Sequence, residues 1–135
     1  MLNNNTYMKF STRAEYGLQA MAGLARDYPA QKNIRQLSQE ENIPAKYLER
    51  LMGELRKNNL VRSFKGKNGG YVLTKNPQLI KVGQIIEILE GSLSPMGCAD
   101  SQCQIACSCS SSQVWLKLGK QIRKTLYSIR LNELI

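Results

Sequence analysis

Histidine is missing altogether from the 135-residue chain. Its absence removes the side chain that most often moves protons near neutral pH. No nucleophile stands in a recognisable pairing with a base either, and no substrate-binding loop is evident, so an enzyme is not expected. Acidic residues are scarce too: ten Asp and Glu against nineteen Lys and Arg leave a formal net charge of +9. Without histidine that charge barely changes with pH around neutrality. No apolar run approaches the roughly 20 residues needed to span a bilayer. Nor does a basic start lead into an apolar stretch that could direct export. A soluble, cytoplasmic chain with no membrane partner is therefore expected. Its length suits one domain plus at most an additional arm. Its positive balance suits a polyanion, nucleic acid first and a membrane surface second, against the plainer reading of a solvated basic face.

Cysteine is the opposite case, because all four copies fall within a dozen residues: Cys98, Cys103, Cys107 and Cys109. An apolar core has no use for that density. A structural zinc site usually takes thiolates in tight pairs with a second pair well downstream. Here the intervening gaps are four, three and one, and no second pair exists. The ferredoxin spacings fail as well, and a disulfide framework belongs to exported chains. Three readings stay open: an iron–sulfur cluster, a nonstandard zinc site, or redox-sensing thiols. Thiolate softness favours the cluster, with Cys98, Cys103 and Cys109 as three ligands and Cys107 able to exchange with its neighbour.

The chain read in order gives a mainly α fold. Residues 1–7 are polar, Asn-rich and expected to be disordered. A Thr-x-x-Glu capping box at Thr12 and Glu15 opens a first helix to about Asp27, ended by Tyr28-Pro29. Asn33 caps a short helix over 34–41, and Asn42-Ile43-Pro44 breaks it before a helix over 45–58. That helix sets Leu48, Leu51, Met52 and Leu55 on one face and Lys46, Glu49, Arg50 and Gly53 on the other. Two short helices joined by a tight turn form the helix-turn-helix plan. Strands over 60–64 and 71–74 flank a basic glycine-rich turn, Lys65 to Gly70, and complete a winged helix. Its glycines are expected to let the wing tip pass close to a sugar-phosphate backbone, where Lys65 and Lys67 neutralise phosphates. A fourth helix over 82–90, stopped by Gly91, packs behind the first. After the cysteine loop, a last helix runs to about Ser128 with the stripe Val114, Leu118, Ile122, Leu126 and Ile129. So small a domain leaves that stripe little to cover, so a second copy is expected to bury it.

The segments Met8 to Leu18, Tyr47-Leu48-Glu49, Leu55 to Val61, Gly69-Gly70-Tyr71 and Val82 to Ile86 together resemble the Rrf2 family of bacterial winged-helix regulators, over nearly all of the chain from Met8 to Leu134. The resemblance implies a homodimeric repressor on a pseudo-palindromic operator, sensing an iron–sulfur cluster, 2Fe-2S rather than 4Fe-4S, and controlling cluster-biogenesis genes. It implies a winged helix-turn-helix domain over 8–91, a cluster-binding loop over 92–109 and a dimerisation helix with the C-terminal segment over 110–135. The Cys-x5-Trp step from Cys109 to Trp115 matches the family loop, and Cys98 falls one residue short of its pattern.

IscR-like members take a fourth ligand from a histidine at the position that is Ser112 here. Cys107 is one replacement. Glu15 of the partner subunit is another, in the place of a ligating aspartate of NsrR-like nitric oxide sensors, although its capping role is the plainer reading. By the same resemblance Tyr16 contacts the DNA backbone, Glu49 accepts from cytosine with Arg50 as its polar neighbour, and Lys65 stands where an arginine enters the minor groove. Lys46, Gly66 and Lys67 complete the expected DNA surface. The alternatives within the family are an NsrR-like nitric oxide sensor, and a CymR-like regulator that works through an enzyme partner without a cluster.

Overall fold

The computed structural model describes residues 10–95 and 110–135. The N-terminal extension over 1–7 and all four cysteines lie outside the described residues. The described elements are α1 (Thr12–Arg26), α2 (Ile34–Glu41), α3 (Ala45–Lys57), β1 (Val61–Phe64), β2 (Gly70–Leu73), α4 (Val82–Glu90) and α5 (Ser112–Ser128), with short 3-10 turns at Pro77–Leu79 and Leu131–Leu134. This is the mainly α winged-helix architecture expected from the sequence.

Helix α1 is the hub. Eight of its residues are buried, among them Ala14, Gly17, Ala20, Met21 and Gly23. Small residues are needed there because neighbours press close: a Cβ on Gly17 would collide with Leu89, and one on Gly23 would lie 2.8 Å from Leu37. The expected Thr12–Glu15 capping box does not form. Ser11 is the N-cap instead, with extended backbone and a hydroxyl that accepts from the Ala14 amide at 3.2 Å. Thr12 is already helical, so its hydroxyl cannot fill that role. Glu15 is thereby released from capping and stands exposed.

Helix α2 begins as the sequence predicts, with Asn33 and Gln36 satisfying each other's backbone amides in a capping box. Asn42 ends it in the left-handed region at φ 56°, and Ile43 is buried at the turn. Helix α3 then packs Leu48, Leu51, Met52 and Leu55 inward, each 2% exposed or less. The wing pairs antiparallel in the register Val61 with Leu73 through Phe64 with Gly70. Its strands start one residue from their expected positions. Asn59, in the left-handed region at φ 62°, makes the corner from α3 into β1.

Helix α4 packs across α1 and stops at Gly91, whose φ of 88° suits glycine alone. The end of α5 returns to this core. The Arg123 guanidinium donates to Glu87 at 3.0 Å and lies over the Tyr127 ring at 5.0 Å from its centroid, while the Tyr127 hydroxyl donates to the other Glu87 oxygen. Tyr127 can reach that carboxylate because Gly83, beneath its ring, has no Cβ. Beyond α5 the Leu131 amide donates to the Ile80 carbonyl at 2.8 Å, and the Leu131 side chain is fully buried.

Candidate nucleic-acid interface

With its apolar side buried, α3 presents Lys46, Glu49 and Arg50 outward, all exposed. The first turn of α1 sits beside it. A cleft of about 480 Å³ between the two helices is lined by Arg13, Tyr47, Arg50, Glu54 and Lys57. Tyr16 meets Tyr47 edge to face, with centroids 5.6 Å apart and planes at 81°. This contact holds Tyr16, half-buried on α1, against the start of α3. Three cations, the Glu54 carboxylate and the Tyr47 ring thus line one groove, with Tyr16 packed on Tyr47, a combination that suits phosphate oxygens next to a helix reading base edges.

The wing adds a second basic patch. Lys65, Gly66 and Lys67 are exposed, and the turn closes through the Gly69 amide donating to the Gly66 carbonyl at 2.9 Å. Gly66 has φ 101° and open space where a Cβ would be. Gly69 and Gly70 differ from expectation. A Cβ on Gly69 would strike the Phe64 carbonyl, and one on Gly70 would lie 2.5 Å from the Lys32 carbonyl. Packing within the chain therefore requires these two glycines, and only Gly66 is free to serve an approaching ligand.

The structure divides the predicted residues into two groups. Of the predicted residues, Arg50 lines the α1–α3 groove and Tyr16 packs on the groove residue Tyr47; Lys46 and Glu49 are exposed on α3 outside that lining, and Lys65, Gly66 and Lys67 stand on the wing that follows α3. Glu15 belongs elsewhere. It lines a separate, largely apolar cleft of about 420 Å³ with Phe10, Leu18, Ile86 and Leu126, where α1, α4 and α5 meet. Ser112 is 2% exposed in the first turn of α5. Cys98, Cys103, Cys107 and Cys109 lie outside the described residues. Among the described residues no cluster of three metal-ligating His, Cys, Asp or Glu side chains occurs, and no helix is long and apolar enough to cross a membrane.

Sequence reasoning missed Arg13, Tyr47 and Lys57 as groove residues. The i, i+3 relation of Tyr47 to Arg50 and the Arg13-x-x-Tyr16 spacing on α1 were the available signals, and both become meaningful only once the two helices are docked.

The Rrf2 family, described as an iron-dependent transcriptional regulator, matches residues 10–135. The HTH-type transcriptional regulator CymR of Bacillus subtilis is 33% identical over 128 residues, covering 94% of this chain and 89% of CymR. The structure of CymR, described as the global cysteine regulator of B. subtilis, superposes with a TM-score of 0.76 at 32% identity, covering 95% of this chain and 96% of CymR. The HTH-type transcriptional regulator IscR of Pectobacterium atrosepticum is 32% identical over 130 residues, covering 95% of this chain and 79% of that protein. The structure of T. potens IscR superposes with a TM-score of 0.73 at 34% identity, covering 94% of this chain and 85% of that one. These relatives are regulators and not enzymes. The chain belongs to the Rrf2 family of winged-helix, DNA-binding transcriptional regulators.

Proposed function

We propose that this chain is a cytoplasmic, homodimeric repressor that reads a pseudo-palindromic operator and reports on an iron–sulfur cluster. The α3 residues Lys46, Glu49 and Arg50 face base edges in the major groove, with Glu49 accepting from cytosine. Tyr16, Arg13 and Lys57 hold backbone phosphates on either side, and Lys65, Gly66 and Lys67 bring the wing to the neighbouring groove. If about six phosphates are neutralised per dimer, affinity falls on the order of a thousandfold between roughly 50 and 200 mM salt.

The observation that carries the sensing half of the proposal is the donor set itself. Four cysteines between α4 and α5, in a chain without histidine, match the preference of iron and sulfide for thiolate. Cys98, Cys103 and Cys109 are assigned as ligands, with Cys107 or Glu15 of the partner subunit as the fourth. The exposure of Glu15 beside the α4–α5 cleft supports its availability, while the burial of Ser112 weighs against a serine ligand. When bound, a 2Fe-2S cluster would supply redox-sensitive iron, and cluster-biogenesis genes are the fitting targets.

Dimerisation is assigned to α5. None of its apolar side chains is fully buried and Val114 is 58% exposed, so a second copy has an apolar stripe to cover. Anaerobic reconstitution with iron and sulfide is the direct test of the sensor. Coloured protein whose visible absorption disappears on Cys98→Ala, Cys103→Ala or Cys109→Ala supports it, and colourless protein holding one zinc per chain overturns it.

A second reading has its own support in the likeness to CymR and in the missing histidine. It is a regulator that acts through an enzyme partner, with redox-active or incidental cysteines. Co-purification of an enzyme together with indifference to iron would favour it over the cluster sensor.

A further inference from the structure

Lys32 is the one lysine buried among the described residues, 5% exposed, and it lies in the linker between α1 and α2, outside the lining of the α1–α3 groove. Its ammonium is surrounded by three acceptors: the Gly23 carbonyl at 2.8 Å, Glu40 Oε2 at 2.6 Å and Asp27 Oδ2 at 2.6 Å. Three N–H donors meet three acceptors, so the buried charge is fully satisfied. The Gly23 carbonyl is in the last turn of α1, where backbone oxygens lack an intrahelical partner and the helix dipole favours a cation. Asp27 caps the same helix, and Glu40 belongs to α2. Burial works against the charge, but the hydrogen bonds to Asp27 and Glu40, and their negative charge, outweigh it and hold the ammonium above the ordinary lysine range.

The main chain of this residue does something different. The Lys32 amide donates to the Tyr71 carbonyl at 3.0 Å, and the Tyr71 amide donates back to the Lys32 carbonyl at 2.7 Å. Lys32 is thus an extra rung on the free edge of β2. Gly70 fits against the same carbonyl, and the Gln31 side chain donates to the Asn68 carbonyl in the wing turn. A two-stranded hairpin of this size has little stability alone and takes its orientation from what it packs on.

We propose that Lys32 is the positioning residue of the wing: its side chain locks the linker to α1 and α2 while its backbone locks that linker to β2, so the angle of the basic wing turn is set from the α1–α2 linker. This rests on Lys65 and Lys67 acting as phosphate contacts. An apolar residue of the same length could fill the space. It would leave the Gly23 carbonyl unpaired and two carboxylates with nothing to hold, and the linker would lose its fixed position.

The test is a double-mutant cycle between Lys32→Met and the pair Lys65→Ala with Lys67→Ala in the full chain. Binding to a mixed-sequence duplex is measured as a function of salt. The wing-tip pair is expected to reduce the slope of log affinity against log salt by about two per protomer. Lys32→Met is expected to lower affinity about tenfold and flatten the slope in the same direction, and to have little further effect once the wing-tip lysines are gone. Faster hydrogen exchange at the Lys32 and Tyr71 amides is expected alongside. Asp27→Asn with Glu40→Gln, at two largely exposed carboxylates, provides a milder version should Lys32→Met not fold, with the same coupling expected.

A purely structural lysine would lower the melting temperature while its effect on DNA simply added to that of the wing tip, and that additivity would overturn the proposal. A wing-tip pair that leaves the salt slope unchanged would instead overturn the wing contact on which the proposal rests. The two failures are therefore distinguishable.

Discussion

Helices α3 and α5 are both amphipathic, yet they meet the rest of the chain differently. Leu48, Leu51, Met52 and Leu55 of α3 are buried to 2% exposure or less, so its inner face is complete and its polar face is left over as a surface. Helix α5 anchors its last turns through Tyr127 and the following Leu131, but its first turns project Val114 and leave Leu118 only half-buried. A helix finished on its inner side is free to read a ligand with the other, whereas a helix left unfinished on its apolar side calls for more protein. This contrast is what the proposed division of tasks rests on, DNA contact for α3 with the wing and pairing for α5.

The largest effect is expected where α3 is complete. Leu48→Ala should destabilise the fold by about 2–5 kcal/mol through lost burial and a residual cavity, read as a shift of the urea midpoint. At Leu118 the corresponding test should act on assembly instead. Leu118→Asp is expected to weaken the dimer on the order of a hundredfold in sedimentation equilibrium, with the monomer still folded, because a carboxylate at this half-buried position would lose its remaining water on pairing. If the substitution leaves association unchanged, α5 does not carry the interface.

Arg50→Ala should cost about 1–3 kcal/mol of DNA binding with no change in thermal stability, since the side chain is exposed. Equal losses of stability and binding would mean that the two faces of α3 are not independent.

A good part of the fold was legible in the sequence because it is locally encoded. Asn33 with Gln36, the four apolar positions of α3 and Gly91 each announce their role within a few residues. The cap of α1 was misplaced by one residue because Ser11 and Thr12 carry the same hydroxyl chemistry, and Glu15, three positions after Thr12, imitates the acidic half of a capping box. Lys32 was illegible for a deeper reason. Its three acceptors come from two helices that meet only on folding, and in the sequence it is one more lysine of a basic chain. Leu131 likewise follows no periodicity, because a backbone pairing with Ile80 holds it. The candidate site was legible in part: the exposed α3 residues and the wing lysines follow from pattern, whereas the α1 side of the groove required the docked helices.

Two smaller effects sharpen the contrast further. Gly53 lies in the middle of α3 with nothing within 4 Å of a built Cβ, so Gly53→Ala should stabilise the fold by about 0.5–1 kcal/mol in urea titrations. A loss of DNA affinity in that stabilised variant would show that backbone approaches the duplex there. On the α5 side, the Tyr127 hydroxyl, against an opposing effect of burial and with help from Arg123, holds the Glu87 carboxyl below its ordinary value of 4.5. A lowered carboxyl stabilises the fold above that value and loses its contribution as pH falls through the folded value. Glu87→Gln should therefore flatten the acid limb of the stability profile, and an unchanged limb would mean that the Glu87–Tyr127–Arg123 contact does not hold α5 in place.

The central proposal is that iron bound by the cysteines that lie between α4 and α5 in the sequence changes how a dimer sits on DNA. It is tested most directly by titrating one duplex from upstream of the chain's own gene with cluster-loaded and metal-free dimer at the same salt. The expected result is two isotherms separated by about 5- to 150-fold in affinity, the usual range of coupling between linked sites. Superimposable isotherms on specific DNA would contradict the claim, even with the winged head bound in both.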